Sequence, residues 1–174
     1  MERIDSKTVY EGKIATVRED EFRHPDGSTA TREVVGHPGA VAMVAHDDLH
    51  MYLVRQPREA VGEEALLELP AGKLDVPGES PSDCAKRELA EEVGKSAADW
   101  RELKRFYTSP GFAQEEVILY LATDLNDASA QAEEEERLEV VAWPLADLDR
   151  AIEECHDAKS LIGMLLFREL RRAS

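Results

Sequence analysis

Two hydrophobic periods alternate along the chain. Over residues 8–36, the strand formers Val9, Ile14, Val17, Phe22, Val34 and Val35 recur among charged residues, and HPDGST (24–29) supplies a turn, so this stretch predicts a β-meander. AVAMVAHDDLHMYLVRQ (40–56) is two apolar runs around HDDLH, the pattern of a hairpin with fairly buried strands. Residues 66–69 predict a further short strand, ended by Pro70-Ala71-Gly72. The period then becomes helical. Ser80 is a good N-cap, Pro81 suits the first helical position, Asp83 the third, and Gly94 a left-handed C-terminal cap, so 80–94 predicts a helix. Ala85, Leu89 and Val93 recur every four residues as its core-facing stripe. Strands are expected at 101–108, 116–123 and 137–143, and two closing helices at 145–155 and 158–172. This order suggests a mixed α+β sandwich rather than a doubly wound parallel sheet.

A chain of 174 residues suits one domain, or a domain with a small appendage. With 21 basic against 37 acidic residues the net charge is −16, which argues against nucleic acid or an anionic membrane as partner. Phosphorylated substrates stay open, because a divalent cation inverts the local sign. No apolar run reaches about 18 residues, so no transmembrane helix is expected. The opening MERIDSKTVYEGKIATVRED has no signal-peptide core, and Cys84 and Cys155 show no CxxC spacing. Free thiols and a cytoplasmic location are the expectation.

The helix at 80–94 has an unusual polar face. Glu88, Glu91 and Glu92 fall at i, i+3 and i+4, so three carboxylates share one arc. They occupy the C-terminal half, where the helix dipole disfavours negative charge. A hard divalent cation with oxygen ligands would relieve the repulsion, and Mg²⁺ suits one or two carboxylates plus substrate phosphate. A solvated acidic face is the alternative in so acidic a chain.

The segment Gly72-KLDVPG-Glu79-SPSDCAK-Arg87-Glu88-Leu89-Ala90-Glu91-Glu92-Val93-Gly94 closely resembles the Nudix box, G-x5-E-x7-R-E-U-x-E-E-x-G-U, where U is a bulky aliphatic. Two departures stand out. Six residues rather than five separate Gly72 from Glu79, and Lys95 stands where the last aliphatic belongs. The extra residue lies in a loop, where insertions cost little. The resemblance implies a Nudix fold, an α/β/α sandwich around a mixed sheet, with the box holding Mg²⁺ or Mn²⁺. By position, it implies Glu88 and Glu92 as metal ligands and Glu91 as a further ligand or a carboxylate acting behind them. The Ala71 carbonyl is implied as a backbone ligand, and Arg87 with Glu79 as the ion pair tying loop to helix. Glu91 and Arg87 thereby join the catalytic candidates.

TREVVGHPGAVAMVA (31–45), VRQPRE (54–59), LELPAGKLD (67–75) and SPGFAQEEV (109–117) resemble the ADP-ribose pyrophosphatase subfamily, whose marker proline is matched by Pro110, sixteen residues past Gly94. This resemblance implies hydrolysis of ADP-ribose to AMP and ribose 5-phosphate. It splits the chain into an N-terminal β-meander, residues 1–38, that serves dimerisation and extends the substrate pocket, and a Nudix hydrolase domain, residues 39–174. Arg58 resembles a substrate-contacting arginine and Arg32 one that stacks near the adenine, often across a homodimer interface. Glu68, Pro110 and Phe112 complete the substrate-binding candidates. Arginine forks suit the pyrophosphate, although each of Arg32, Arg55 and Arg58 can equally be a surface ion pair.

Similar enzymes place a catalytic glutamate on the loop before the 137–143 strand. Here that loop is QAEEEE (131–136), and Glu135 is the candidate among Glu134, Glu135 and Glu136, with Glu115 and Glu116 second. His37, before Pro38, reads as structural. Rival readings are another nucleoside diphosphate sugar as substrate and a non-catalytic Nudix-fold ligand sensor. The intact glutamate face argues against the sensor.

Overall fold

Residues 40–45 are all apolar, and the strand they form lies at the centre of the larger of two sheets. The computed structural model describes residues 1–128 and 138–173. These fall into two units, Met1–Gly39 with Phe106–Glu116, and Ala40–Arg105 with Val117–Ser174.

In the first unit, β1 (Glu2–Glu11), β2 (Thr16–Arg23) and β3 (Thr29–Gly36) form an antiparallel meander in chain order. The Asp26 carboxylate accepts the Ser28 N–H (3.0 Å) and hydroxyl (2.7 Å), and Gly27 supplies a positive φ of 85°, which closes the β2–β3 turn. β1 begins at Glu2 rather than near residue 8, because nearly every one of its positions is exposed and no alternation marks it. Among the unit's described residues no apolar side chain is buried. Val9, Tyr10 and Ile14 are exposed, and the one buried side chain is Asp20, held by the Ser6 hydroxyl (2.6 Å) and paired with Arg18 and Arg3. Residues 106–116 join this unit through Val35, whose N–H donates to the Phe112 carbonyl (2.8 Å) and whose carbonyl accepts the Gln114 N–H (2.9 Å).

The second unit is built on β4 (Ala40–His46), β5 (His50–Arg58), β6 (Glu63–Glu68), β7 (Ala71–Lys73), α1 (Pro81–Val93), β8 (Lys95–Tyr107), β9 (Glu116–Asp127), β10 (Glu139–Pro144), α2 (Leu148–Glu154) and α3 (Ala158–Ala173). The sheet order is β10-β5-β4-β9-β8, with β6 on β5 and β7 on β4. β4 runs parallel to β9 and antiparallel to β5 and β7, so the sheet is mixed. Val41, Met43 and Ala45 of β4, with Ile118, Tyr120 and Ala122 of β9, pack against Cys84, Ala85, Leu89 and Val93 of α1. The intervening Val44 and Leu119 meet α3 at Gly163. Strand alternation therefore puts α1 on one face and α3 on the other, the α/β/α sandwich expected from the sequence. Among the described residues no helix is long and apolar enough to cross a membrane.

In this unit two elements depart furthest from the sequence pattern. β8 starts at Lys95, six residues before the expected strand, because it is an edge strand with scattered, partial burial. Ala71-Gly72, expected only to end a strand, begins β7, since Val41 offers Gly72 a pairing partner that no local signal encodes.

Gly163 tests the packing of α3. A Cβ there would lie 2.4 Å from Leu69 Cδ1, 3.2 Å from Val44 Cγ2 and 3.3 Å from Leu119 Cδ1, all on fully buried residues. The helix-propensity gain of alanine, up to about 1 kcal/mol, is outweighed by an overpacking cost of about 1–3 kcal/mol. Gly163→Ala is expected to lower the urea midpoint without changing the slope. An unchanged or raised midpoint would show that the sheet yields at this point.

Candidate active site

The ends of α1 set its register. Ser80 Oγ accepts the Asp83 N–H (3.1 Å) and donates to the Asp83 carboxylate (2.7 Å), with Pro81 at the first position. At the other end Gly94, at φ 69°, donates its N–H to the Ala90 carbonyl (3.1 Å). Cys84, Ala85, Leu89 and Val93 consequently face the core, while Arg87, Glu88 and Glu91 stay partly accessible and Glu92 is 7% exposed at the boundary.

Arg87 organises this face. Its Nε and Nη2 donate to the two Glu79 oxygens (2.9 and 3.0 Å), and its Nη1 donates to both Glu88 Oε1 and Glu91 Oε2 (2.8 Å each). These bonds, that to Glu79 foremost, push the guanidinium pKa up, and the same pair holds the Glu79 carboxyl below the usual range. The expected loop-to-helix pair is therefore formed despite the extra loop residue. That residue is absorbed in a turn where Gly78 has φ 83° and the Glu79 N–H reaches the Val76 carbonyl (3.2 Å).

The backbone of β7 lies close against these carboxylates. A Cβ on Gly72 would sit 2.1 Å from Glu88 Cγ and Cδ, so a larger residue here would displace the Glu88 side chain. The neighbouring Ala71 N–H donates to Glu92 Oε2 (2.9 Å). The Cys84 thiol is pushed up to about 12 by burial and by the charges of Glu88 and Glu79, so it stays protonated and donates to the Lys73 carbonyl (3.4 Å). Lys95, in place of an aliphatic residue, sets its ammonium 5.3 Å from the Tyr52 ring centre and on Asp127 (2.6 Å), so it both packs and pairs.

A second ionic cluster adjoins this one in the same unit. Glu68, its side chain 1% exposed, accepts Arg58 Nε (2.6 Å) and Nη2 (2.9 Å) in parallel and also accepts Lys159 Nζ. Lys159 donates in turn to Asp157 (2.9 Å), which caps α3 by accepting the Ser160 N–H (3.0 Å). Ser160 Oγ donates to Asp157 and accepts the Leu69 N–H (2.7 Å). Burial pushes the Glu68 and Asp157 carboxyls up, but the hydrogen bonds and charges of Arg58, Lys159 and Ser160 outweigh it and hold both below the usual range. The Arg58 guanidinium pKa is held above the usual arginine value chiefly by its hydrogen bonds to Glu68.

The other candidates make none of the bonds of these two clusters. Arg55 pairs with Glu154 and is a structural ion pair. Arg32, Pro110 and Phe112 are exposed residues of the first unit, where Arg32 donates to the Thr31 carbonyl (2.8 Å). His37 Nδ1 accepts the Gly39 N–H (3.1 Å), in keeping with a structural role. Glu134, Glu135 and Glu136 lie outside the described residues. Sequence reasoning missed Asp157, Lys159 and Ser160. Asp157 carries an N-cap signal before α3, but nothing local links that helix to Glu68.

Among the described residues no three acidic, histidine or cysteine side chains stand in metal-holding geometry, and the Arg87 guanidinium bridges Glu88 and Glu91. The donor chemistry nevertheless fits Mg²⁺ or Mn²⁺. Glu88, Glu91, Glu92 and the Ala71 carbonyl are all hard oxygen donors, and the soft Cys84 is kept protonated.

Residues 36–162 match the NUDIX domain, and residues 1–35 match the nucleoside diphosphate sugar hydrolase N-terminal domain. The chain belongs to the Nudix family. It is a Nudix-type pyrophosphatase hydrolase with the domain pair of nucleoside diphosphate sugar hydrolases. It is 46% identical to an ADP-ribose pyrophosphatase of Mycobacterium tuberculosis over 154 residues, 87% of this chain and 74% of that protein. It is 37% identical to an ADP-ribose pyrophosphatase of Bacillus subtilis over 170 residues, 92% of this chain and 91% of that one. The crystal structure of an ADP compounds hydrolase superposes with a TM-score of 0.85 at 29% identity, covering 99% of this chain and 94% of that chain.

The Glu68 cluster next to the Nudix box gives the protein an acid-sensitive joint. A carboxyl whose folded pKa is depressed stabilises the fold above its unfolded pKa and loses that contribution as pH falls through the folded value. Melting temperature should therefore fall as pH drops below the ordinary carboxylate range of about 4. Glu68→Gln should melt lower than the wild type at neutral pH, since Arg58 and Lys159 lose their shared anion. Its melting temperature should also fall less steeply in acid, and parallel acid slopes would place the sensitivity elsewhere.

Proposed function

We propose that this Nudix hydrolase cleaves the pyrophosphate of ADP-ribose to AMP and ribose 5-phosphate, with Mg²⁺ as cofactor and Mn²⁺ as a substitute. The observation that carries the reading is the Arg87-bound glutamate face with Gly72 and Ala71 close against it, and Arg58 held by Glu68 on the strand just ahead of Ala71. The likeness to two ADP-ribose pyrophosphatases supports the choice of substrate.

In this reading Glu88, Glu92 and the Ala71 carbonyl hold the metal, and Glu91 is a further ligand or steadies the others. When bound, the metal polarises phosphate oxygens and lowers the pKa of the attacking water. Arg87 and Glu79 keep the loop and helix in register. Arg58 presents its outer edge to the pyrophosphate while Glu68 holds the inner edge, so Glu68 serves the substrate through Arg58. Glu135 removes the proton from the attacking water. The alternative base Glu115 already accepts the Thr108 hydroxyl (2.7 Å), which favours the loop glutamate.

The meander, residues 1–38, is proposed to pair with a second copy, residues 39–174 forming the hydrolase domain. The exposed Val9, Tyr10 and Ile14, in a unit with no buried apolar side chain among its described residues, support this. Arg32 then reaches the neighbouring pocket, with Pro110 and Phe112 contributing to substrate binding. A cytoplasmic location completes the reading.

The chemistry is tested on a panel of ADP-ribose, ADP-glucose and GDP-mannose with Mg²⁺ and product identification. AMP and ribose 5-phosphate from ADP-ribose, with slower turnover of the others, is the expected result. Glu88→Gln and Glu92→Gln should each reduce turnover by about a hundredfold or more, because the lost charge acts in the transition state. Near-normal turnover of either variant at saturating Mg²⁺ overturns its ligand role.

Light scattering tests the assembly. A homodimer burying more than roughly 1,000 Å² is expected, and it should tighten with salt because two chains of −16 repel. A mass near 19.4 kDa in both low and high salt would exclude it.

A further inference from the structure

Among the described residues Arg58 uses one edge of its guanidinium. Nε and Nη2 are engaged by Glu68, while Nη1 donates to nothing among the described residues. The direction of that outer edge depends on where the Glu68 carboxylate is held. Glu68 is buried, and its Oε2 is shared between Arg58 and Lys159. Lys159 is in turn fixed by Asp157, the cap of α3, and its side chain is only 14% exposed. Two cations and two carboxylates thus close a neutral chain from the first turn of α3 to Arg58, anchored at Leu69 by Ser160.

We infer that Lys159 is a positioning residue of the active site. Set by Asp157, it holds Glu68 in the one orientation that points the outer edge of Arg58 at a substrate phosphate. Lys159 itself does not touch the substrate. A neutral side chain there would leave Glu68 with Arg58 alone, and the pair would be free to rotate together. Arg58 would keep its charge and lose its aim, and misplacement of about 1 Å is enough to cost a large factor. The inference rests on the reading of Arg58 as a phosphate-binding group.

Four proteins test it: Lys159→Met, Lys159→Arg, Arg58→Ala, and Lys159→Met combined with Arg58→Ala. Lys159→Met is expected to raise KM for ADP-ribose about tenfold while kcat changes much less, the pattern of lost ground-state binding. Lys159→Arg should recover most of that loss. In the Arg58→Ala background Lys159→Met should change KM by less than about twofold, because the group it acts through is gone. The same factor in both backgrounds, or a lowered melting temperature with wild-type KM, overturns the inference and leaves Lys159 a stabilising residue only. If Lys159→Met does not fold, Asp157→Asn is read in its place, with a smaller rise in KM expected and an unchanged KM overturning the inference. A wild-type protein inactive on the whole substrate panel refutes the substrate reading instead. The positioning is then judged from AMP affinity by calorimetry in the same four proteins, with the same non-additivity required.

Discussion

The Arg87 guanidinium keeps together a helix face that would otherwise repel itself. Glu88, Glu91 and Glu92 crowd the end of α1 where the helix dipole also opposes negative charge. Arg87 places four N–H bonds on Glu79, Glu88 and Glu91 and turns the fifth toward Cys84 Sγ at 3.6 Å. Lysine has neither the number of donors nor the planar fork for this, so the position demands arginine for geometry as much as for charge. The same bonds hold the loop ahead of α1 and thereby the approach of β7.

Beside that face, residues 68–72 are held at every step. Glu68 is bound by Arg58 and Lys159, the Leu69 N–H by Ser160, and the Pro70 carbonyl by the Met43 N–H (2.9 Å). The Ala71 N–H goes to Glu92, and Gly72 pairs with Val41 while Glu88 fills the space its side chain would need. A backbone carbonyl can serve a metal only if its peptide does not move. Five consecutive residues tied to the sheet, to α1 and to α3 supply that rigidity.

The strong negative charge is unevenly used. Most acidic residues are exposed, and two of the buried ones sit among cations, Glu68 with Arg58 and Lys159 and Asp20 with Arg18 and Arg3, while the buried Glu92 accepts the Ala71 N–H. A buried carboxylate without such partners would protonate or unfold its surroundings. In the meander, that ionic centre takes the place of an apolar core.

How much was legible in the sequence varies with how local the cause is. The helix at 80–94, its caps, its apolar stripe and the face carrying Glu88, Glu91 and Glu92 follow from spacing alone, because helical geometry depends only on neighbours three and four residues apart. The continuous apolar run of β4 likewise announced a buried strand. The pairing of Arg87 with Glu79 was legible only through family resemblance, since seven residues of loop and helix lie between them. Two things were decided by the tertiary structure. Ala71-Gly72 became a strand because β4 offered a partner, and Glu68 became an anchor because a lysine 91 residues away reaches it. Neither leaves a periodic trace, for a pairing across the fold depends on packing in three dimensions and not on the order of residues along the chain.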